Sequence, residues 1–166
     1  MFYIRPGRPE DAAACADIHK RSWIYAYSHC VPMEVIEKQN AGRPEMWKRF
    51  LQHNVNMNYV VELGDVVVGF LTIGVARDKD VPESTGELIG LYLDSDYIGR
   101  GYGRRAMDWA KAELRARGFS TMVLWVLDRN DHAKRFYEKC GFVPDGAVKP
   151  SGLGERMEER YRLTFE

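Results

Sequence analysis

Three glycines at alternate positions, Gly99, Gly101 and Gly103, lie in GRGYGRRAMDW and run directly into Arg104 and Arg105. A helix N-terminus carries unpaired backbone N–H groups and a partial positive charge, so phosphate oxygens bind there when no side chain obstructs them. Glycines clear that approach, and Arg100, Arg104 and Arg105 would add charge-assisted contacts at the rim. The competing reading is a tight turn without a ligand. The position of the loop between an apolar strand and an amphipathic helix favours a bound pyrophosphate.

What the loop lacks narrows the ligand. A Walker loop requires GxxxxGK[ST], and no Lys-Ser or Lys-Thr follows these glycines. Gly101 to Ala106 does fit GxGxxA, the dinucleotide fingerprint, and Asp128 ends the next strand where a ribose-binding acid would sit, so a dinucleotide-binding oxidoreductase is one alternative. Against it stand the spacer Asp94 to Ile98 between strand and first glycine, and strands upstream that read as an antiparallel meander. No second mononucleotide half is found after Asp128.

The elements that would hold the loop are legible from hydrophobic period and punctuation. Phe2 to Arg5 reads as a strand, and Pro9, Glu10 and Asp11 as the first turn of a helix running from Ala12 to about Trp23. WIYAYSHCVPMEVIEK ends in a second helical pattern, and a third runs from Gly42 to about Asn54. YVVEL and VVVGFLTI, separated by Gly64-Asp65, read as a hairpin, and ELIGLYL, Glu87 to Leu93, as the next strand. Met107, Ala110 and Leu114 then mark the buried face of a helix that ends at Gly118. TMVLWVL is apolar on both faces, as a strand covered by helices would be. DRN caps a helix over DHAKRFYEKC that stops at Gly141. The last strand is expected at Arg160 to Phe165, reached through a loop rich in glycine and proline. This order describes an α/β sandwich with a mixed sheet.

The bulk properties set outer limits. At 166 residues and 45% hydrophobic content the chain is expected to form a single domain over residues 1–166 without disulfides or structural metal. Lys+Arg and Asp+Glu both number 24, so no overall field would attract nucleic acid or an anionic membrane. Cys15, Cys30 and Cys140 share no CxxC spacing, and His19, His29, His53 and His132 no paired spacing, which argues against a metal site. Reduced thiols, an N-terminus without signal-peptide character and no membrane-length apolar run point to the cytoplasm.

With LYLDSDYIGRGYGRRAMDWA followed by LWVLDRNDHAKRFYEKCGF, the sequence resembles the GNAT superfamily of acetyl-coenzyme A-dependent N-acetyltransferases, over Glu87 to Phe142. The resemblance implies a three-layer α/β fold with a mixed, mostly antiparallel central sheet of about six or seven strands flanked by about four or five helices. It implies acetyl-CoA as co-substrate, with the backbone of Leu91, Tyr92 and Leu93 pairing with pantetheine. The amides of Gly99, Arg100, Gly101, Tyr102, Gly103 and Arg104 would wrap the pyrophosphate, and Asn130, Ala133, Phe136 and Lys139 would lie along the coenzyme. Ser95 and Ile98 depart from the family pattern, and because main-chain N–H groups hold the phosphates, binding is expected to survive both.

Amide formation at a thioester needs a neutral amine, a stabilised oxyanion and a protonated leaving thiolate. Glu87 matches a family position often occupied by a glutamate acting as base, usually through a water; the alternative is a solvent-facing strand-end carboxylate. Tyr137 matches the family tyrosine that protonates the thiolate; the alternative is a core tyrosine beside Phe136. A main-chain N–H of Leu91 to Leu93 would hold the oxyanion if that strand splays from its neighbour.

The acceptor is expected to be a small-molecule or peptide amine, approaching near Trp23 to Glu37 and Gly146 to Glu155. Trp23, Tyr25 and Tyr27 would line a pocket, or serve as core, and Glu34 and Glu37 would attract a polyamine, or stand solvated. Family habit points to a possible homodimer. A coenzyme-binding sensor without turnover is the second alternative.

Overall fold

The computed structural model describes residues 1–55 and 57–166. Its strands are β1 (Phe2–Pro6), β2 (Asn58–Leu63), β3 (Val66–Val75), β4 (Thr85–Leu93), β5 (Thr121–Leu127), β6 (Val143–Pro150) and β7 (Met157–Thr164). They form one sheet in the order β1-β2-β3-β4-β5-β7-β6, antiparallel at every pairing except β4 with β5.

Helices α1 (Ala12–Tyr27), α2 (Met33–Ala41) and α3 (Arg43–Gln52) precede β2; α4 (Tyr102–Ala116) and α5 (Asp131–Lys139) flank β5 in sequence. Strand alternation divides them between two faces. Val60 and Phe70 pack with Cys15, Ile18 and Trp47 of α1 and α3 on one side. Val61, Leu71 and Ile73 pack with Met107, Ala110 and Leu114 of α4 on the other. Successive strand side chains point to opposite faces, so both faces of the central strands are apolar and each takes a helical layer. A third cluster joins Tyr27, Val31 and Ile36 to Leu127 and Leu153 beyond the sheet's carboxyl edge.

The structure moves several boundaries of the sequence reading, β4 for instance starting at Thr85 and not Glu87, and adds one strand. Helix α1 continues a full turn past Trp23, because Tyr27 is buried against Leu127 and Leu153. The last strand spans Met157–Thr164, starting three residues before Arg160. The segment read as a glycine- and proline-rich loop contains β6, an edge strand whose pairing with β7 shifts register between Pro144 and Val148. Proline lacks the ladder donor and is tolerated where one side of a strand is unpaired, and a bulge absorbs the Asp145–Ala147 stretch.

The site depends on how β4 sits. Its parallel pairing with β5 covers only Thr85–Glu87 against Thr121–Val123, after which the two strands part. Opposite β3 the register steps from Ile73↔Leu88 to Thr72↔Gly90, leaving Ile89 as a bulge. A bulge bends its strand and increases local twist, which carries Gly90 to Leu93 away from β5. Helix α1 fixes the far end: Ser22 Oγ donates to the Leu93 carbonyl at 3.0 Å, and Arg21 pairs with Asp94 at 2.6 Å.

Candidate active site

The wedge between β4 and β5 opens into a groove of about 760 Å³ and, beneath it, a cavity of about 310 Å³. Tyr27, Ile89, Tyr92 and Trp125 line both, so the two spaces meet at a wall of aromatic rings.

The groove gathers most of the residues named for coenzyme. Leu91, Tyr92 and Leu93 form one side; Asn130, Ala133, Phe136, Tyr137 and Lys139 form the other; Gly99, Gly101, Gly103 and Arg104 lie at one end. Gly99 and Gly101 hold φ of +81° and +85°, a region that costs other residues energy, and Gly101 is the N-cap of α4. The backbone N–H groups of Gly99 to Arg104 donate to no backbone carbonyl. Such a row of free donors on a helix N-terminus fits a pyrophosphate, and the free edge of β4 fits the amide groups of pantetheine.

Several side chains behave otherwise than the sequence suggested. Arg100 lies over the Tyr97 ring at 5.4 Å, Arg105 over Phe2 at 4.0 Å, and Tyr102 stacks on Phe2 at 5.8 Å, so these three side chains do not line the groove. Arg104 does line it, while donating to Asp108 and to the Lys139 carbonyl. Asn130 caps α5, accepting from the Ala133 N–H at 3.3 Å.

Tyr137 projects from α5 into the groove, with its ring flanked by Phe136 and Phe142. Burial raises its phenol above the ordinary value and keeps it protonated, the state a proton donor requires. Tyr27 is raised in the same way, and its hydroxyl lies 3.2 Å from that of Tyr92.

Glu87 is not a solvent-facing strand end. It is 1% exposed and lines the smaller cavity, where its carboxylate accepts from the Arg77 backbone N–H at 3.0 Å, Nε at 3.2 Å and Nη2 at 2.7 Å. Glu158, from β7, lines the same cavity; burial raises its carboxyl, against the partial offset of Lys149 at 3.7 Å. Trp23 and Tyr27 line the cavity with Ser151, Gly152 and Leu153, in the two segments expected for the acceptor. Tyr25 belongs to the groove instead, and Glu34 and Glu37 line neither space.

Sequence reasoning passed over Arg77, Trp125 and Glu158. Arg77 follows β3 in an unremarked stretch, and Glu158 precedes Arg160, where the sequence reading began the last strand. Trp125 was assigned to a helix-covered strand, but its indole N–H donates to Asp78 at 3.0 Å and its ring lines both spaces. Among the described residues no cluster of three or more His, Cys, Asp or Glu has metal-binding geometry, and no helix is long and apolar enough to cross a membrane.

A mixed sheet split at its parallel pair, with a phosphate-ready glycine loop at one end of the split, defines a protein built to hold an extended phosphate-bearing coenzyme. The chain belongs to the acetyltransferase (GNAT) family, whose pattern matches residues 13–142. It is 29% identical over 133 residues to YuaI, an uncharacterized N-acetyltransferase of Bacillus subtilis, covering 78% of this chain and 74% of that one. It is 43% identical over 65 residues to the mycothiol acetyltransferase of Beutenbergia cavernae, covering 39% of this chain and 22% of that protein. In fold it is similar to the PaiA N-acetyltransferase of Thermoplasma acidophilum in complex with coenzyme A, with a TM-score of 0.81 at 19% identity over 99% of both chains. It is likewise similar to YncA of Salmonella typhimurium with acetyl-CoA, with a TM-score of 0.71 at 20% identity over 100% of this chain and 95% of that one. The largely antiparallel sheet and the family match leave no ground for the dinucleotide-binding reading.

Proposed function

We propose that residues 1–166 act as one N-acetyltransferase domain that moves an acetyl group from acetyl-CoA directly to an amine held in the smaller cavity. The observation that carries this reading is the junction of the two spaces. The groove runs from the free N–H groups of the glycine loop to Tyr137, and ends at the wall behind which Glu87 and Glu158 line the cavity.

In this reading Glu87 takes the amine's proton through a water. The nitrogen lone pair forms the new bond to the carbonyl carbon, and a main-chain N–H of Gly90 to Leu93, freed by the parting of β4 from β5, donates to the developing oxyanion. The carbon–sulfur bond then breaks, the thiolate takes the Tyr137 proton, and the acetylated nitrogen gives up its surplus proton to restore the Tyr137 phenol. Cys15 and Cys140 are buried and their thiols are raised, Cys15 to about 12, which supports direct transfer over a cysteine-bound acyl group.

The test is to incubate the protein with acetyl-CoA and pooled polyamines, amino acids, aminoglycosides and short peptides, and to seek by mass spectrometry an amine heavier by one acetyl group. An acetylated product that disappears with Tyr137→Phe is expected. Tight coenzyme binding with no product in any pool would replace the enzyme with a sensor.

A further inference from the structure

Arg160 of β7 is 7% exposed and bonds to the carboxylates of Asp78, Asp80 and Asp145. Nη1 and Nη2 fork onto the two oxygens of Asp80 at 2.7 and 3.0 Å. Nη1 also donates to Asp78 Oδ2 at 3.2 Å, and Nε donates to Asp145 Oδ2 at 2.6 Å. Asp145 stands in the β6 stretch where the register with β7 shifts, and its other oxygen accepts from the Ala147 N–H at 3.0 Å. Asp78 and Asp80 belong to the connection from β3 to β4, residues 76–84. That connection thus reaches past β4 and β5 to the strand beyond them in the sheet.

Two side chains of the site hang on this anchor. Trp125 is the Cα partner of Arg160 across β5 and β7. Its indole N–H donates at 3.0 Å to Asp78 Oδ2, the oxygen that Arg160 also holds, and the guanidinium lies 5.6 Å from the centre of its ring. Lys149 of β6 lies 4.0 Å from the same ring centre. Arg77, next to Asp78 in the chain, turns its backbone N–H and its guanidinium onto Glu87. Trp125 lines both the groove and the smaller cavity, and Arg77 and Glu87 line the smaller cavity.

A buried arginine among carboxylates is a poor source of stability, since apolar side chains of similar volume often do as well without the cost of desolvation. What the network supplies is direction. A guanidinium is a planar fork that accepts carboxylates only in certain placements, and an indole N–H points one way from its ring. Fixing Asp78 and Asp80 therefore fixes the orientation of Trp125 and the reach of Arg77. The four hydrogen bonds of Arg160 involve neither the glycine loop nor α5, so this anchor acts apart from the phosphate-binding end of the groove.

We propose that Arg160 is a positioning residue for acetyl transfer: by holding Asp78 and Asp80 it sets the Trp125 ring at the junction of groove and cavity and seats Arg77 on Glu87. This rests on the acetyltransferase reading above and deepens it.

The experiment compares the wild type with Arg160→Lys, which keeps the charge and loses the fork, and with Asp80→Ala, at a side chain 66% exposed where folding should be preserved. Trp125 is followed as the fluorescence difference between each protein and the same protein carrying Trp125→Phe. Acetylation is followed with acetyl-CoA and the amine from the pools above that the wild type acetylates fastest, and rates are referred to the folded fraction measured in urea. Both variants should shift the Trp125 emission to the red and raise its quenching by acrylamide. They should lower kcat/KM for the amine roughly ten- to hundredfold, Asp80→Ala less than Arg160→Lys, as misplacement of reacting groups does. Acetyl-CoA affinity in an equilibrium titration should stay close to that of the wild type. An unchanged Trp125 signal, or wild-type kcat/KM per folded molecule, makes Arg160 a structural anchor only and overturns the proposal. So does a loss of acetyl-CoA affinity as large as the loss of kcat/KM. No acetylation by the wild type refutes the transferase reading and the proposal with it, whereas turnover that both variants retain refutes the proposal alone.

Discussion

Arg77 and Glu87 are joined by three hydrogen bonds, tying a carboxylate 1% exposed to an arginine side chain 62% exposed. The pair fastens the chain leaving β3 across the start of β4, beside the point where β4 and β5 part. A buried carboxylate needs such a partner to remain charged. Arg77 thus supplies hydrogen bonds to the buried Glu87 carboxylate at the edge of the smaller cavity while most of its own side chain stays exposed.

Glu87→Gln is expected to lower kcat/KM about a hundredfold, because it removes the carboxylate that accepts the amine's proton. Glu158→Gln serves as the comparison and is expected to retain most of the rate. If the rate is lost with Glu158→Gln instead, Glu158 takes the amine's proton and Glu87 only positions the site.

Tyr137→Phe removes one hydroxyl from a helix that otherwise keeps its packing. Turnover should fall by about 100- to 10,000-fold, with acetyl-CoA affinity in an equilibrium titration close to that of the wild type. Wild-type kcat in this variant would exclude Tyr137 as the proton donor.

Gly101→Ala introduces a side chain at φ +85°, where nothing lies within 4 Å of the new methyl group. Strain and not collision then sets the cost, about 1–2 kcal/mol. Relief of that strain would turn the loop amides, so acetyl-CoA affinity should fall together with stability in urea. Full affinity in a destabilised variant would detach the loop from coenzyme binding.

His19 should make the protein sensitive to acid. It accepts from the Trp47 indole N–H at Nδ1, 3.1 Å away, and burial, assisted by the charge on Arg43, lowers its pKa from 6.5 to about 3. Because the folded value lies below the unfolded one, the unfolded chain binds the extra proton and stability declines as pH falls from 6.5 toward 3. The slope is up to about 1.4 kcal/mol per pH unit. Denaturation with urea across that window should show a shallower slope for His19→Gln, whose amide oxygen still accepts from Trp47. An equal slope would mean that other groups govern acid unfolding.

That most of the residues named for coenzyme line one groove was legible because their determinants are local. Alternating glycines before a helix and the block ending in Cys140-Gly141-Phe142 lie on contiguous segments, and a family pattern spans them. The helix faces were legible for the same reason: Met107, Ala110 and Leu114 recur at helical spacing and all three are fully buried. Strand β6 was not, since Pro144, Asp145, Gly146 and Pro150 have poor strand character and pair only because β7 supplies an antiparallel edge.

The sequence by itself determined the order of the elements other than β6, the hydrophobic faces, the glycine loop before α4 and the kinship with acetyltransferases, all properties of residues close together along the chain. Tertiary structure decided which residues share the smaller cavity. Arg77, Glu87, Trp125 and Glu158 come from separate segments of the chain, and only the folded sheet brings them to one cavity. The bulge at Ile89 and the short pairing of β4 with β5 are likewise features of strand register, set by how two faces of a sheet pack and not by any motif.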